Sequence, residues 1–391
     1  MQPLISIQEA ETFIFDHLPN LGQETVTLEN GVGRILAAPI TADRAIPPYN
    51  RVMMDGIAIS FDRFNQGQRS FAIAGTQAAG MPPLTLTDPQ QCIEVMTGAI
   101  LPHGCDCVIK IEDIRVESQT AQLSPSCSAS SGQHIHAQGS DKQQADALVN
   151  SSSLLAPPEL AIAASVGQTE LTVIREPKIL LITTGDEVIP PAETPLPHQI
   201  RRSHASAICS SITSQQLGKV ENVHVPDTAN ALESSLKSAL KEYDVILLTG
   251  GISMGKYDYV APVMDTLVGA PLFHGIAQRP GKPFAFWSGE TPVFALPGNP
   301  VSVMACLARY LLPSLRKMRG EQWAPTSYPL AQDVTWNAPF PGLVASHLSK
   351  NQLHATPPRN SGDYSALAGS QGICELPSTS PSGTKLHFYP W

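Results

Sequence analysis

The sequence predicts a multidomain α/β protein: a central doubly wound parallel sheet, preceded by an extended α+β region and followed by a small all-β domain. Three observations carry this. Between residues 178 and 317, short and almost unbroken apolar runs alternate with helical patterns, which is how strands buried on both faces of a parallel sheet read. Before that stretch, β-like runs alternate with Pro/Gly turns, and after about residue 325 the chain is Pro-rich with no helical period. At 391 residues the chain also exceeds what one ordinary core holds. Boundaries are expected at 1–175, 176–322 and 323–391, with a β-rich module inserted at about 45–145.

Taken in order, Ser6 and Glu9 have capping-box spacing, and Ile7, Ala10, Ile14 and Leu18 follow at helical intervals, predicting a helix near 7–18. Ile46-Pro47-Pro48-Tyr49 must be extended, because proline removes a donor and restricts the residue before it. It leads into Met53-Met54-Asp55-Gly56. Cys92–Thr97 and Cys107–Ile114 read as strands, and 124–133 as a surface loop. In the central stretch, strands are expected at Lys178–Thr183, Lys219–Val225, Asp244–Thr249 and Pro292–Leu296. Helices are expected at His204–Leu217, Ala229–Glu242 and from Pro300 through about 317. The extended segment and scattered modules of the N-terminal region are not expected to make a compact core unaided. A dimer burying well over roughly 2,000 Å² follows from that expectation.

Apolar residues make up 42% of the chain, too many for a disordered protein. The net charge of −9 argues against a nucleic-acid or membrane-surface partner, so an anionic ligand would need a local cluster of donors. The 7 cysteines are odd in number and contain no CxxC pair, which points away from a disulfide framework or a zinc site. Cys105 and Cys107 read as buried thiols. The opening MQPLISIQEAETF lacks a basic leader, and no segment reaches the roughly 18 apolar residues of a membrane span, so a cytoplasmic location is expected.

Four loops at strand ends carry chemistry. Thr249-Gly250-Gly251-Ile252-Ser253-Met254-Gly255 can turn several N–H groups toward a phosphate. The same residues match GxSxG, with Asp265 and His274 following in hydrolase order. Against a Ser253 hydrolase, Pro262 would interrupt the helix that an elbow serine must start, and the Asp265–His274 interval is short. Thr183-Thr184-Gly185-Asp186-Glu187 places paired carboxylates where Mg²⁺ can bridge to phosphate, with Asp258 as a third acidic partner. Arg279-Pro280-Gly281-Lys282-Pro283 holds two cations on a proline-stiffened backbone, a preorganised oxyanion clamp. Leu296-Pro297-Gly298-Asn299-Pro300-Val301-Ser302 puts Ser302 in a helix's first turn, where free N–H groups favour an anion. There is no Walker A loop.

The ordered set TTGDE, TGGISMG-x-YDYV, RPGKPFAF and LPGNPVS resembles the molybdopterin-binding domain of the MoeA family. The likeness extends to Ile46–Gly56, to the Ala-Gly pairs at 74–75 and 79–80, to Met96-Thr97-Gly98-Ala99 and to Cys374–Pro377, and so covers essentially the whole chain. It implies a MogA-like central domain and a molybdenum insertase, in which adenylylated molybdopterin is cleaved, AMP leaves and the pterin captures molybdate, with Mg²⁺ required. It also implies a homodimer whose N-terminal region contributes to a shared cleft. An upstream molybdopterin adenylyltransferase and downstream cofactor-accepting proteins would be partners. Carried over by motif, Asp55, Thr97, Glu187, Asp227 and Asp258 would be catalytic, with Asp186, Glu187 and Asp258 as metal ligands. Thr184, Gly185, Gly250, Gly251, Ser253 and Gly255 would hold the substrate, and Arg279, Lys282, Pro283 and Ser302 the molybdate. The chain departs from the common pattern at Asn50-Arg51-Val52-Met53, at Ile57, and at His204, which replaces a usual Asn and follows Arg201-Arg202. A non-catalytic pterin- or partner-binding member is the alternative function.

Overall fold

The computed structural model describes residues 3–252 and 259–391. The first helix spans Ile7–Asp16, and its capping box forms: Glu9 N donates to Ser6 Oγ at 3.1 Å, and Ser6 N to Glu9 Oε2 at 2.7 Å. It ends two residues short of the expected Leu18, capped at His17. Ile7, Ala10 and Ile14 are buried in the core of the central domain rather than against the rest of the N-terminal region.

Residues 23–174 fold as two bodies. In one, Gln23–Thr27 pairs antiparallel with Glu170–Ile174, and Ile40–Thr41 with Ala147–Val149. These strands and the helix Pro157–Ser165 share a core of Leu36, Ile40, Val149, Ala163, Leu171 and Val173. Inserted between their halves is a six-stranded sheet in the order Cys107–Lys110, Gly56–Ile59, Cys92–Val95, Ser70–Gln77, Thr120–Leu123, Ile114–Glu117. The alternation along Gly56–Ile59 sends Ala58 into one core and Ile57 and Ile59 into another, on opposite faces. The expectation that this region lacks a compact core is therefore corrected: a strand buried on both faces lets short, turn-punctuated strands enclose two. Cys105 and Cys107 lie in these cores, and burial pushes both thiols up to about 12.

The central sheet runs Lys219–Val225, Lys178–Thr184, Val245–Thr249, Val293–Leu296, Ala285–Trp287, Phe273–His274. The first four strands are parallel, with Leu181 beside Asn222 and Leu247, and Leu247 beside Phe294. The last two are antiparallel, so the sheet is mixed at one edge. Those strands are three and two residues long, too short for a sequence period to show. Ile179, Leu181, Val245 and Leu247 face the helices Ile7–Asp16, His204–Ser214 and the long helix from Pro300. Leu180, Ile182, Ile246 and Leu248 face Ala229–Glu242 and Val260–Leu267. Both faces are covered, as the near-continuous apolar runs require. The helix from Pro300 widens at Leu307–Leu311 into a π turn before continuing over Leu312–Met318. Pro313 has no N–H to return to the carbonyl four residues back.

The C-terminal sheet is antiparallel, in the order Thr326–Pro329, Lys385–Pro390, Gly372–Leu376, Gly342–Ser349, Gln352–Ala355. Val344, Cys374, Leu376 and Phe388 make its own core, while Leu343, Ile373 and Tyr389 join the central one. At that seam Arg309, only 2% exposed, pairs with Glu11 and Glu375 at 3.0 Å each and lies 4.6 Å from the Tyr389 ring centre. One buried guanidinium thus ties the first helix, the central domain and the C-terminal sheet together. Among the described residues, no helix is long and apolar enough to cross a membrane.

Candidate functional site

The carboxyl ends of the parallel strands open onto two cavities that share one wall. The wall is the loop after Val293–Leu296: Gly298 and Pro300 face the first cavity, Asn299 and Ser302 the second.

The first cavity, about 120 Å³, is lined by Thr184, Glu187, Arg201, Arg202, Ser203, His204, Thr249 and Gly250 among others. Gly250 has φ +93°, and a Cβ there would stand 3.0 Å from both the carbonyl and the hydroxyl oxygen of Thr184. Only glycine lets the two strand-end loops press together in that conformation. Gly185 and Gly251 sit at the same ends, both in positive φ. Asp227 N donates to Asp186 Oδ1 at 3.3 Å. Burial raises the Asp227 carboxyl above the usual range, and the nearby charges of Asp186 and Glu187 push it further the same way. Burial lowers His204, so its imidazole favours the neutral form; its ring lies 6.4 Å from that of Tyr364. His224, hydrogen-bonded through Nδ1 to Thr183 Oγ1 at 3.0 Å, is lowered by burial and by the Arg202 charge.

The second cavity, about 340 Å³, holds the clamp. Arg279, Lys282, Pro283 and Ser302 all line it, and among the described residues no carboxylate does. The clamp loop joins the two antiparallel edge strands, and it reaches this end of the sheet because Ala285 lies beside Ala295. Its shape is fixed from below. Gly281 has φ +88°, and a Cβ there would meet Cys306 Sγ at 2.6 Å. Gln278 Nε2 donates to the Gly281 carbonyl at 3.2 Å, and the buried Tyr310 hydroxyl donates to Gln278 Oε1. Arg279 N donates to Pro341 O at 3.0 Å and Arg279 O accepts from Leu343 N at 2.9 Å, fastening the loop to the C-terminal sheet. The backbone is held while the Arg279 and Lys282 side chains remain exposed. Ser302 is buried beneath them.

The C-terminal part completes this cavity with Trp336, Asn337, Asn360 and Ser361, none of which the sequence motifs single out. Val301 N donates to Ser361 O at 3.1 Å, and Asn299 Nδ2 to Ser361 Oγ at 2.9 Å. The polar turn Asn360-Ser361-Gly362-Asp363 inside a Pro-rich stretch was the available signal. Arg201 and Arg202, noted in the sequence only as departures, also line the first cavity.

Asp55 and Thr97 do come together, on the inserted module: Thr97 N and Oγ1 donate to Asp55 Oδ1 at 2.6 and 2.7 Å, and these bonds lower the Asp55 carboxyl. Neither residue lines either cavity. Ser253, Gly255 and Asp258 lie outside the described residues. The next described helix starts at Val260, with Pro262 in its first turn. Among the described residues, no three His, Cys, Asp or Glu side chains converge closely enough to hold a metal.

Comparison with known proteins places this geometry. A family model described as the MoeA N-terminal region (domain I and II) matches residues 5–167, and one described as a probable molybdopterin binding domain matches 180–317. A molybdopterin molybdenumtransferase from Synechocystis is 37% identical across 99% of this chain and 100% of its own. One from Synechococcus elongatus is 32% identical across 81% of this chain and 80% of its own. A solved molybdopterin biosynthesis MoeA protein from Pyrococcus horikoshii superposes with a TM-score of 0.86 over 99% of each chain, at 24% identity.

Proposed function

Because this chain belongs to the MoeA family and is a transferase of molybdenum cofactor biosynthesis, we propose that it inserts molybdate into adenylylated molybdopterin with release of AMP. The observation that carries the reading is the pair of cavities on either side of one loop. One is lined by Arg279 and Lys282 with no carboxylate among the described residues; the other is walled by a glycine loop, Glu187, Arg201 and Arg202. A reaction that brings a small oxyanion to a phosphorylated ligand needs such a pair.

Molybdate is assigned to Arg279, Lys282, Pro283 and Ser302, where fixed donors accept a tetrahedral dianion without reorganising. The phosphates of the pterin nucleotide are assigned to Thr184, Gly185, Gly250 and Gly251, with Ser253 and Gly255 following on the same loop. Displacement at phosphorus asks mainly for positioning and charge neutralisation, so no protein nucleophile is required.

Mg²⁺ fits the donor set in part. Burial, and then the charges of Asp186 and Glu187, raise the Asp227 carboxyl; a divalent cation relieves that repulsion, but the three carboxylates do not form a closed cage. Mg²⁺ usually keeps open positions for water and phosphate. Asp186 and Glu187, with Asp258, would hold it, and the ion would supply charge neutralisation at the anhydride. Asp55 and Thr97 are assigned to the cleft completed by a second copy, which makes a homodimer part of the proposal; light scattering at micromolar concentration checks it. The direct test supplies purified protein with adenylylated molybdopterin, molybdate and Mg²⁺ and follows AMP. Release that depends on molybdate supports the reading, and absence of release removes it.

A further inference from the structure

Arg202 has no role in the scheme above, yet it occupies the phosphate side of the site. The short parallel pair Val188–Ile189 and Ile200–Arg201 carries it there, and its own N–H donates to the Ile189 carbonyl at 2.9 Å. The backbone is therefore pinned at the cavity wall. Its neighbour Arg201 uses Nε on the Glu193 carbonyl at 3.1 Å. Arg202 Nε, by contrast, is buried and meets no acceptor among the described residues, and the guanidinium forms no ion pair among them. A buried charged donor without an acceptor is costly, and native structures rarely leave one so.

We infer that Arg202 binds a phosphoryl oxygen in the strand-end cavity, as a fixed cation beside the glycine loop. The lining around it offers mostly donors: the Thr184 and Thr249 hydroxyls, and Ser203 at the start of the helix His204–Ser214, where its side chain makes no capping bond. Glu187 is the one carboxylate in that lining among the described residues, and it forms no ion pair with Arg202. His204 adds no cation, since burial favours its neutral form. An oxyanion with several acceptor atoms satisfies this arrangement. A guanidinium meets phosphate through two parallel N–H bonds, which an ammonium does not reproduce.

That the phosphoryl group belongs to the pterin nucleotide rests on the function proposed above; the anion subsite does not. The test therefore uses two probes on the full chain by titration calorimetry: inorganic pyrophosphate and adenylylated molybdopterin. Arg202→Gln is expected to weaken both by about 10- to 150-fold, the range of one charge-assisted hydrogen bond. Arg202→Lys should recover part of the loss. If wild type binds pyrophosphate, Arg202→Gln loses it, and neither binds the pterin nucleotide, the subsite stands and the proposed function fails. If Arg202→Gln binds pyrophosphate as wild type does, or wild type does not bind it, the inference is overturned. Should the glutamine variant not fold, Arg202→Lys decides: affinity equal to wild type removes the guanidinium from the site.

Discussion

Replacing Lys282 by alanine separates the two anions assigned to the two cavities. The clamp cavity has two cations, no carboxylate in its lining among the described residues, and a backbone held by Gln278, Pro341 and Leu343. Truncating the lysine should therefore remove charge without moving the loop. A hydrogen bond assisted by charge contributes about 1.5–3 kcal/mol. Lys282 is exposed, and water screens exposed charge, so the lower end applies. About 1.5 kcal/mol corresponds to roughly a tenfold rise in the molybdate needed for half-saturation. Arg279→Ala should act in the same direction, and the double variant should fall short of the sum, since both cations meet one small anion. Affinity for the adenylylated pterin should change far less, because the two cavities share only the loop around Asn299. The assay is AMP release across a molybdate series, with pterin binding measured separately. An unchanged molybdate requirement together with lost pterin binding would reverse the assignment of the two anions.

Glu187→Gln should keep the fold but lose Mg²⁺-dependent turnover, since a hard cation loses one ligand charge; wild-type rates at ordinary Mg²⁺ would refute that. Arg309→Met should lower stability by about 3 kcal/mol in urea unfolding, because the Glu11 and Glu375 carboxylates lose their shared buried partner. An unchanged midpoint would show that the pairs contribute nothing net. His204 should make stability fall on acidification below its ordinary value of 6.5. Its folded pKa is lowered by burial, so the unfolded chain binds the proton first and stability rises with pH in that window. His204→Phe should flatten this slope, and an identical slope would rule out His204 as its source.

Chemistry concentrated in contiguous loops was legible in the sequence because each loop is fixed by its own residues. Gly250 and Gly281 are demanded by approaches of 3.0 Å to Thr184 and 2.6 Å to Cys306, and such demands leave glycines at set intervals. Lys178–Thr184, Val245–Thr249 and Val293–Leu296 were legible because burial on both faces removes most polar residues from them. The edge strands Phe273–His274 and Ala285–Trp287 were not, because two or three residues carry no period. The N-terminal region misled for a different reason. Pro and Gly marked its turns, but the apolar run Gly56–Ile59 is only four residues long, too short to report that Cys92–Val95 and Cys107–Lys110 flank it in a sheet buried on both faces.

Tertiary docking, which no local pattern encodes, supplies the rest of the clamp cavity and joins it to its neighbour. Trp336, Asn337, Asn360 and Ser361 reach the clamp only because the C-terminal sheet docks through Arg309, Leu343 and the Arg279 backbone. The contact Val301 N to Ser361 O then fixes the same loop whose other side faces the strand-end cavity assigned to the pterin. A ligand that shifts this loop in one cavity must alter the wall of the other, and a coupling free energy between two sites is reciprocal. Molybdate should therefore change pterin affinity by the same factor by which the pterin changes molybdate affinity. Ser361→Ala breaks the Asn299 side-chain bond but keeps the backbone bond to Val301, because the latter uses the Ser361 carbonyl. It should reduce that mutual factor while leaving each separate affinity within about threefold, the scale of losing one exposed neutral hydrogen bond. Titrating each ligand with and without a non-hydrolysable form of the other measures both sides of the cycle. A coupling factor untouched by Ser361→Ala would mean that the loop is held by its backbone alone.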